Sequence, residues 1–537
     1  MTSRKDLAGG ALLFLLLAIA SLGAIRSYDY PWHLASGRWI TEHNALPKTD
    51  PFTVGSDAEE WHNGEWLFQV AAYRIVDAFG HEGIVVSRAL LVATIFIIGF
   101  VVARRHVDPS LAFFLTAICW YGARERLDAR PATLAALFVA IAIALLLSWN
   151  GTARARLVLY AILTVVWINT HPSAILAPAL AAICTAGFLT AGGERQKERL
   201  KDGIALASVS AGALLLNPHG IEGVLAPVRL IRQIGEGHFV NAEWLPSMPG
   251  LFPLLYITML AGAILFVTRP KDRGHMAHAF LFVLLSWMAA RYVRNQGLYF
   301  ASYPLLMAPL LATTIRRSVR IALAACAALL LISVAVAARI SPPLDPGIYP
   351  LRAVAELKKL GLAGNIYNPD QFGGYISWTF YPERRALIDG RNELHDTVMR
   401  EYGAARLDGR MWEALIRKYD LTLAVDEYHR ESMNTVDAVT GETRSVPASL
   451  IYFPRNRWAL IAFDDVAMVF ARRDSHPPEL LEKIELRHLV PDDPDAISRL
   501  APEQRSEAAR ELSRSIARFG SGERTKMLID ALSGRGL

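Results

Sequence analysis

Cysteine is nearly absent from this chain. Three occur in 537 residues, Cys119, Cys184 and Cys326, and all lie in apolar runs. A disulfide framework is excluded and a metal site built on cysteine is unsupported, which leaves small buried apolar side chains as the plain reading. Charge is scarce as well. Charged residues make up 20% of the chain against 53% hydrophobic ones, and the mean hydropathy is +0.27. That balance is too apolar for an ordinary soluble protein of this length. Several catalytic signatures are missing: no P-loop, no GxGxxG turn, no GxSxG elbow and no kinase set. No internal repeat or low-complexity tract is evident.

What is present is a series of apolar blocks up to about residue 338, followed by sequence of globular type. A polytopic membrane region and then a soluble α/β domain are expected. The first apolar run, 7–25, follows Arg4-Lys5. It is longer than a signal-peptide core and lacks a clear cleavage site, so it reads as an uncleaved membrane helix. Further candidate spans cover 83–103, 111–123, 132–149, 157–169, 173–191, 203–216, 252–268, 277–290, 298–315 and 321–338, about eleven in all.

Basic clusters fall in every second gap: Arg4-Lys5, Arg104-Arg105, Arg154 with Arg156, Arg195 to Lys201, Arg269 to Arg273, and Arg316-Arg317 with Arg320. The positive-inside rule makes these gaps cytoplasmic. The N-terminus is then inside, and eleven crossings put the C-terminal part outside. This pattern also accounts for the net charge of +6 without nucleic acid as a partner. The predicted organisation is a membrane domain over 1–339, with a first outward loop 26–82 holding two surface helices. An extracytoplasmic α/β domain over 340–476 and a helical tail over 477–537 follow.

Asp29 is the first acidic residue after the first apolar run, in Ser27-Tyr28-Asp29-Tyr30-Pro31-Trp32-His33-Leu34. A carboxylate at a partly desolvated interface gains basicity and suits general-base or metal-ligand chemistry; the plain alternative is a solvated loop residue. His33, Asp50, His62 and Glu65 share its loop. Such a set suits a divalent cation or proton transfer, but the spacing is no standard zinc pattern, and turn or capping roles remain open. Residues 32–43 and 65–79 are expected to be the two surface helices, with Trp66, Val70, Tyr73 and Val76 at helical spacing.

Five arginines break the charge rule in outward gaps: Arg124, Arg126, Arg130, Arg291 and Arg294. Arg88 lies just inside the outer end of the second span. Arginines kept there suit a phosphate-bearing headgroup, or else pair with Glu125 and Asp128. His171, in Trp167-Ile168-Asn169-Thr170-His171-Pro172, closes another outward helix pair. In the C-terminal part, strands are expected at 365–368, 385–389 and 421–425, with helices at 350–360, 371–380 and 395–405. A hairpin over 458–463 and 466–471 turns through Asp464-Asp465. Gln371-Phe372-Gly373-Gly374-Tyr375 and Asp389-Gly390-Arg391-Asn392-Glu393 are glycine-rich turns or binding loops.

An Asp just beyond the first span, two surface helices and later outward arginines resemble the GT-C superfamily of membrane glycosyltransferases. A bacterial group within that layout is the nearer resemblance. It is carried by Asp29 with Trp32-His33-Leu34 and Gly37, Asp50-Pro51-Phe52, Trp61, Glu65-Trp66-Leu67, Trp167 to His171, Asn217-Pro218-His219-Gly220, Glu243-Trp244, Gly373-Gly374-Tyr375 and Asp389-Gly390-Arg391. The resemblance implies a multi-pass protein of the bacterial inner membrane. It implies transfer of a sugar from a polyprenyl-phosphate donor to a lipid, glycan or protein acceptor on the outer face. Asp29 would be the general base, and Arg88, Arg124, Arg126, Arg130, Arg291 and Arg294 would bind the donor phosphate. His33, Asp50, His62, Glu65, His171 and Glu243 are further site candidates. Asp29 has no acidic neighbour before Glu42, which favours the metal-independent form of the chemistry, with no cofactor required and a divalent cation left open. The group's His-Glu-Trp-Leu reads Gly64-Glu65-Trp66-Leu67 here. The alternatives from other classes are a lipid-linked-substrate transporter or flippase and a non-catalytic membrane assembly protein.

Overall fold

The computed structural model describes residues 4–57, 59–190, 196–235, 242–268, 275–311, 316–338, 342–391, 394–429, 432–436 and 443–533. The basic clusters at Arg195 and Arg269 to Arg273, and Asn392-Glu393, lie outside or partly outside these residues. The chain divides into two compact units. The first holds Met1–Ser27, Ser36–Leu46 and His62–Pro343, and the second holds Tyr28–Ala35, Pro47–Trp61 and Leu344–Leu537. Two pieces of the first loop thus pack with the C-terminal residues rather than with the helices that flank them in sequence.

The first unit is helical. Three helical stretches are long and apolar enough to cross a membrane, Trp66–Ala103, Pro172–Thr190 and Arg317–Ala337, and three shorter apolar helices are Ala8–Ala20, Pro131–Leu147 and Pro253–Thr268. The other five predicted runs are helical too: Pro109–Ala123, Ala153–Ile168, Gln196–Ala213, His275–Arg291 and Gln296–Met307. Trp66–Ala103 holds two helices joined across a kink at Gly80, whose φ of 67° is not helical. The break falls between the helices expected at 65–79 and 83–103, and glycine admits that backbone conformation where other residues would be strained. A helix over Gly220–Gly235 was not anticipated; its segment reads only as an outward gap. Close backbone approach explains one motif glycine: a Cβ on Gly37 would lie 2.0 Å from the Gln69 carbonyl oxygen.

The second unit is built on a mixed sheet. Its strands are β1 (Asn365–Tyr367), β2 (Leu421–Glu427), β3 (Ser432–Val436), β4 (Thr443–Pro447), β5 (Trp458–Phe463) and β6 (Ala467–Arg472). β1, β2, β6 and β5 form one sheet in that order, and β3 pairs with β4 in a separate hairpin. β1 runs parallel to β2, while β2–β6 and β5–β6 are antiparallel. Period-2 alternation fills two cores at once. Leu460, Met468 and Phe470 point to one, with Trp412, Leu415 and Phe453. Leu423, Val425, Ile461 and Val469 point to the other, with Val354, Leu357, Phe372 and Ile376. Burial on both faces is why these strands read as continuous apolar runs.

The strand expected at 385–389 is extended but makes only isolated bridges, Ile366 to Ala386 and Thr53 to Ala386. The Asn368 side chain takes over part of the ladder there. Its amide donates to the Ile388 carbonyl (2.9 Å) and its oxygen accepts the Leu387 N–H (2.9 Å). On the other side, Val54 N–H donates to the Ala386 carbonyl and Ala386 N–H to the Phe52 carbonyl. This pairing draws residues 47–61 into the second unit.

The helix Asp370–Phe380 packs through Gly373, where a Cβ would lie 1.8 Å from the Ile388 carbonyl oxygen and 2.8 Å from Asp389 Cα. Backbone must move to admit it. Gly373→Ala is expected to destabilise the protein by about 3 kcal/mol or more, read as a lowered midpoint of thermal unfolding in detergent. An unchanged midpoint would contradict this packing.

Candidate active site

In the second unit, Asp29 stands at the entrance of the helix Tyr30–His43. Its main-chain oxygen accepts the His33 N–H at 3.2 Å. Its Oδ1 accepts the indole N–H of Trp32 at 3.4 Å. A Cβ on Gly390 would lie 2.6 Å from that same Oδ1, and one on Gly374 would lie 3.1 Å from both the Tyr28 carbonyl oxygen and the Trp32 nitrogen. The motif glycines therefore serve close backbone approach, not positive φ. His33 is buried, with its ring against that of Trp32 at 3.7 Å between centroids.

Beside this lies a fully buried ion cluster. Arg391 donates from Nε and Nη2 to Asp389 (2.9, 3.0 and 2.6 Å) and from Nη2 to Asp50 Oδ1 (2.8 Å). All three side chains are 0% exposed. Asp50 also accepts the Phe52 N–H (2.9 Å) and the Thr53 hydroxyl. His395 joins Asp389 Oδ1 (2.9 Å) to Ser56 Oγ (2.6 Å). The rings of Trp61, Phe52 and Trp32 surround the guanidinium at 4.6, 5.3 and 5.7 Å. Burial would raise the Asp389 carboxyl, but Arg391 and then His395 hold it well below the usual carboxylate range. Burial would likewise lower Arg391, and the two carboxylates overcome it. Asp50, a sequence candidate for proton transfer, is thus a partner of Arg391. Arg391 itself was not singled out, although it stands inside a quoted motif.

In the first unit, charge gathers around Glu243. Arg130 Nη1 reaches its Oε1 at 2.6 Å and Arg126 Nη1 at 3.3 Å. Arg294 lies over the Trp244 ring at 4.3 Å, and Trp244 meets Tyr292 edge to face. Burial would raise the Glu243 carboxyl, but Arg130, Arg294 and Arg126 together hold it below its usual range. His171 is pulled down to about 3, first by burial and then by the charges of Arg294 and Arg130. It is neutral at any working pH. Its Nδ1 accepts the Ser173 N–H at 3.1 Å, so Nε2 carries the proton. Arg126, Arg130, Arg294, His171 and Glu243, scattered over four outward gaps, are one constellation.

The other arginines have separate settings. Arg88 is committed to structure. It pairs with Asp128 at 2.7 Å and donates to the carbonyls of Ser21, Gly23 and Ala24, at the end of the first helix. Asp128 Oδ2 also accepts the Arg26 N–H at 2.7 Å. Arg124 pairs with Glu125 at 3.0 Å over the Tyr121 ring, and Arg291 lies over Tyr292 at 4.7 Å. His62 meets His219 edge to face. Glu65 is the residue before the helix Trp66–Ala103, and its backbone N–H donates to Asn63 Oδ1 (3.3 Å). Trp66 Nε1 donates to Asn169 Oδ1 (2.9 Å). These two residues, with Leu67, Val166, Leu216 and Pro218, line an open apolar groove of about 570 Å³. Among the described residues, no three His, Cys, Asp or Glu side chains cluster so as to hold a metal ion. The loop carboxylates and histidines do not form a ligand set there.

No protein-family model and no curated protein sequence matches the chain. Solved structures do. The oligosaccharyltransferase AglB from Archaeoglobus fulgidus, in complex with an inhibitory peptide and a dolichol-phosphate, superposes with a TM-score of 0.61 at 11% identity, covering 98% of this chain and 85% of that one. ArnT from Cupriavidus metallidurans, bound to undecaprenyl phosphate, gives a TM-score of 0.50 at 10% identity, covering 89% and 100%. The chain has the fold of the GT-C membrane glycosyltransferases.

For the buried cluster, Asp389→Asn replaces the charged acceptor of Arg391 Nε and Nη2 and leaves the guanidinium its single bond to Asp50; it is expected to cost about 3–5 kcal/mol, measured by thermal unfolding. The folded-state carboxyl ionises below its ordinary 3.8. Its stabilisation is therefore complete above that value and is lost as pH falls through the folded-state pKa. The gap between wild type and variant should be constant from pH 7 to about pH 5 and narrow only below about pH 4. A gap that closes near neutrality would refute the assignment.

Proposed function

We propose that the protein is an integral membrane glycosyltransferase that moves a sugar from a polyprenyl-phosphate carrier to an acceptor hydroxyl on the outer face of the membrane. The observation that carries this reading is the concentration of positive charge around Glu243 and His171 in a chain with this fold. Arg126 and Arg130 bond to Glu243 and the charge of Arg294 also reaches it, so several guanidinium groups converge on one carboxylate, a setting that suits an anionic ligand. Both neighbouring structures were solved with a polyprenyl phosphate, dolichol-phosphate in one and undecaprenyl phosphate in the other. A phosphate monoester or diester headgroup is the ligand that this charge suits.

In this proposal each group is assigned a role by its own chemistry. Asp29 takes the proton of the acceptor hydroxyl as its oxygen attacks the anomeric carbon. The bond between that carbon and the phosphate oxygen breaks, and the carrier phosphate leaves with the electron pair. Arg126, Arg130 and Arg294 offset the charge that develops on it, and the proton on His171 Nε2 is available as a neutral donor. A single displacement inverts the sugar carbon. Arg124 and Arg291, lying over Tyr121 and Tyr292, extend the basic lining. Arg88 acts indirectly, by fixing the end of the first helix. The N-terminus is cytoplasmic and the second unit extracytoplasmic in this reading, as the alternation of basic gaps requires.

Removing a general base costs about 10²–10⁴ in rate. Asp29→Asn is expected to lose transfer by that factor in proteoliposomes supplied with a panel of polyprenyl-phosphate sugars, while still binding the carrier. Full activity would sink the Asp29 role. Arg130→Gln should instead weaken binding of undecaprenyl phosphate by about tenfold, roughly 1.4 kcal/mol. For topology, Glu507→Cys places a thiol on an exposed helix of the tail. A membrane-impermeant maleimide is expected to label it in spheroplasts without lysis; labelling only after lysis would reverse the orientation.

A further inference from the structure

The carboxylate of Asp29 is gripped by groups that the catalytic reading leaves without a task. Arg391 holds Asp389 through two nitrogens and Asp50 through one, with every partner buried. Residues 389 and 391 are thereby anchored, and Gly390 between them has little freedom to move. Gly390 sits where a Cβ would stand 2.6 Å from Asp29 Oδ1 and 3.6 Å from Trp32 Nε1. Trp32 faces both ways. Its ring lies toward the Arg391 guanidinium at 5.7 Å, and its indole N–H donates to Asp29. On another side, Gly374 lets the helix Asp370–Phe380 approach the backbone at Tyr28 and Trp32, the residues that bracket Asp29.

Stability alone does not call for this arrangement. A buried ion cluster is a weak source of net stability compared with apolar packing, and it needs no glycine against a distant carboxylate. What the cluster supplies is fixed geometry: a planar fork held by two carboxylates and enclosed by three aromatic rings sets the backbone at 389–391 to within small tolerances. We propose that the Asp50–Arg391–Asp389 cluster is a positioning device for Asp29, seating Gly390 and Trp32 on its carboxylate. By this proposal, the three motifs around Asp50, Gly373 and Asp389 serve the base rather than a second binding site. The kinetic part rests on the reading of Asp29 as general base; the geometric part does not.

The test uses the full-length protein in proteoliposomes with two independent readouts. One is the rate at which a water-soluble carbodiimide modifies Asp29, followed by mass spectrometry, with exposed Glu507 as internal reference. The other is kcat and KM for transfer. Gly390→Ala is expected to change Asp29 modification several-fold relative to Glu507. It should lower kcat by about 10²-fold and leave the donor KM within about twofold, with the unfolding midpoint near that of wild type. Trp32→Phe, which removes the indole donor together with part of the ring, should move Asp29 modification in a folded protein. Arg391→Lys should fail to restore wild-type behaviour, because a lysine cannot serve two carboxylates in a planar fork. Wild-type modification and wild-type kcat in Gly390→Ala would overturn the proposal. If it does not fold, unchanged modification in Trp32→Phe overturns it equally. Should wild type transfer no sugar from any donor, altered modification still supports the positioning and only the base reading falls.

Discussion

A guanidinium with no exposed surface needs charged partners inside the protein, and the partners given to Arg391 through Nε and Nη2 shape the second unit. Asp389 comes from the segment after β1, Asp50 from a loop more than three hundred residues earlier, and the rings of Trp61, Phe52 and Trp32 from that same early stretch. Removing a carboxylate takes charged hydrogen bonds from a guanidinium that water cannot reach, a far larger penalty than losing a surface pair. The cluster is therefore less a source of net stability than a rule about which segments must be together. That rule explains why residues 28–35 and 47–61 count with the C-terminal residues.

The first unit handles charge in a different way. Glu243 is outnumbered by arginines, and His171 is kept neutral beside them. Where the second unit sets two carboxylates around one guanidinium, the first sets several guanidinium groups around one carboxylate. Guanidinium groups gathered in a half-buried place suit an anionic ligand. Arg88 shows the contrasting use. With Asp128 and three carbonyls it closes the orphaned end of the first helix, which is ordinary structural satisfaction of backbone acceptors.

Much of the fold is legible in the sequence because hydrophobic length and alternation are local signals. Each of the eleven apolar runs falls on a helix among the described residues, 191 and 312–315 lying outside them, and β1, β2, β5 and β6 lie where the alternation or continuous apolar stretches put them. What failed had a physical cause in each case. The segment expected as a strand at 385–389 pairs on both of its sides only around Ala386, so it stays a pair of isolated bridges. The helix Gly220–Gly235 carries Ile221, Val224, Leu225 and Val228 at helical spacing, an amphipathic pattern that a search for continuous apolar runs does not find. For the site, the arginines were legible as misplaced charges, but their convergence on Glu243 was not, since it joins four separate gaps. Asp50 was read as a turn residue or ligand, because nothing local reveals that its partner is Arg391.

The pairing at Ala386 has one more consequence. In a sheet ordered β1-β2-β6-β5, β1 is an edge strand, and edge strands template unwanted association unless something covers them. Here the cover is layered: residues 385–387 lie against β1, and residues 52–54 lie against those. The outer layer belongs to a part of the chain that precedes nearly all of the membrane helices. The border drawn by hydropathy near residue 340 is thus a border of solubility and not of folding. A fragment cut there would carry its sheet with an uncovered side, and would be prone to aggregate for a reason that lies in the missing first loop.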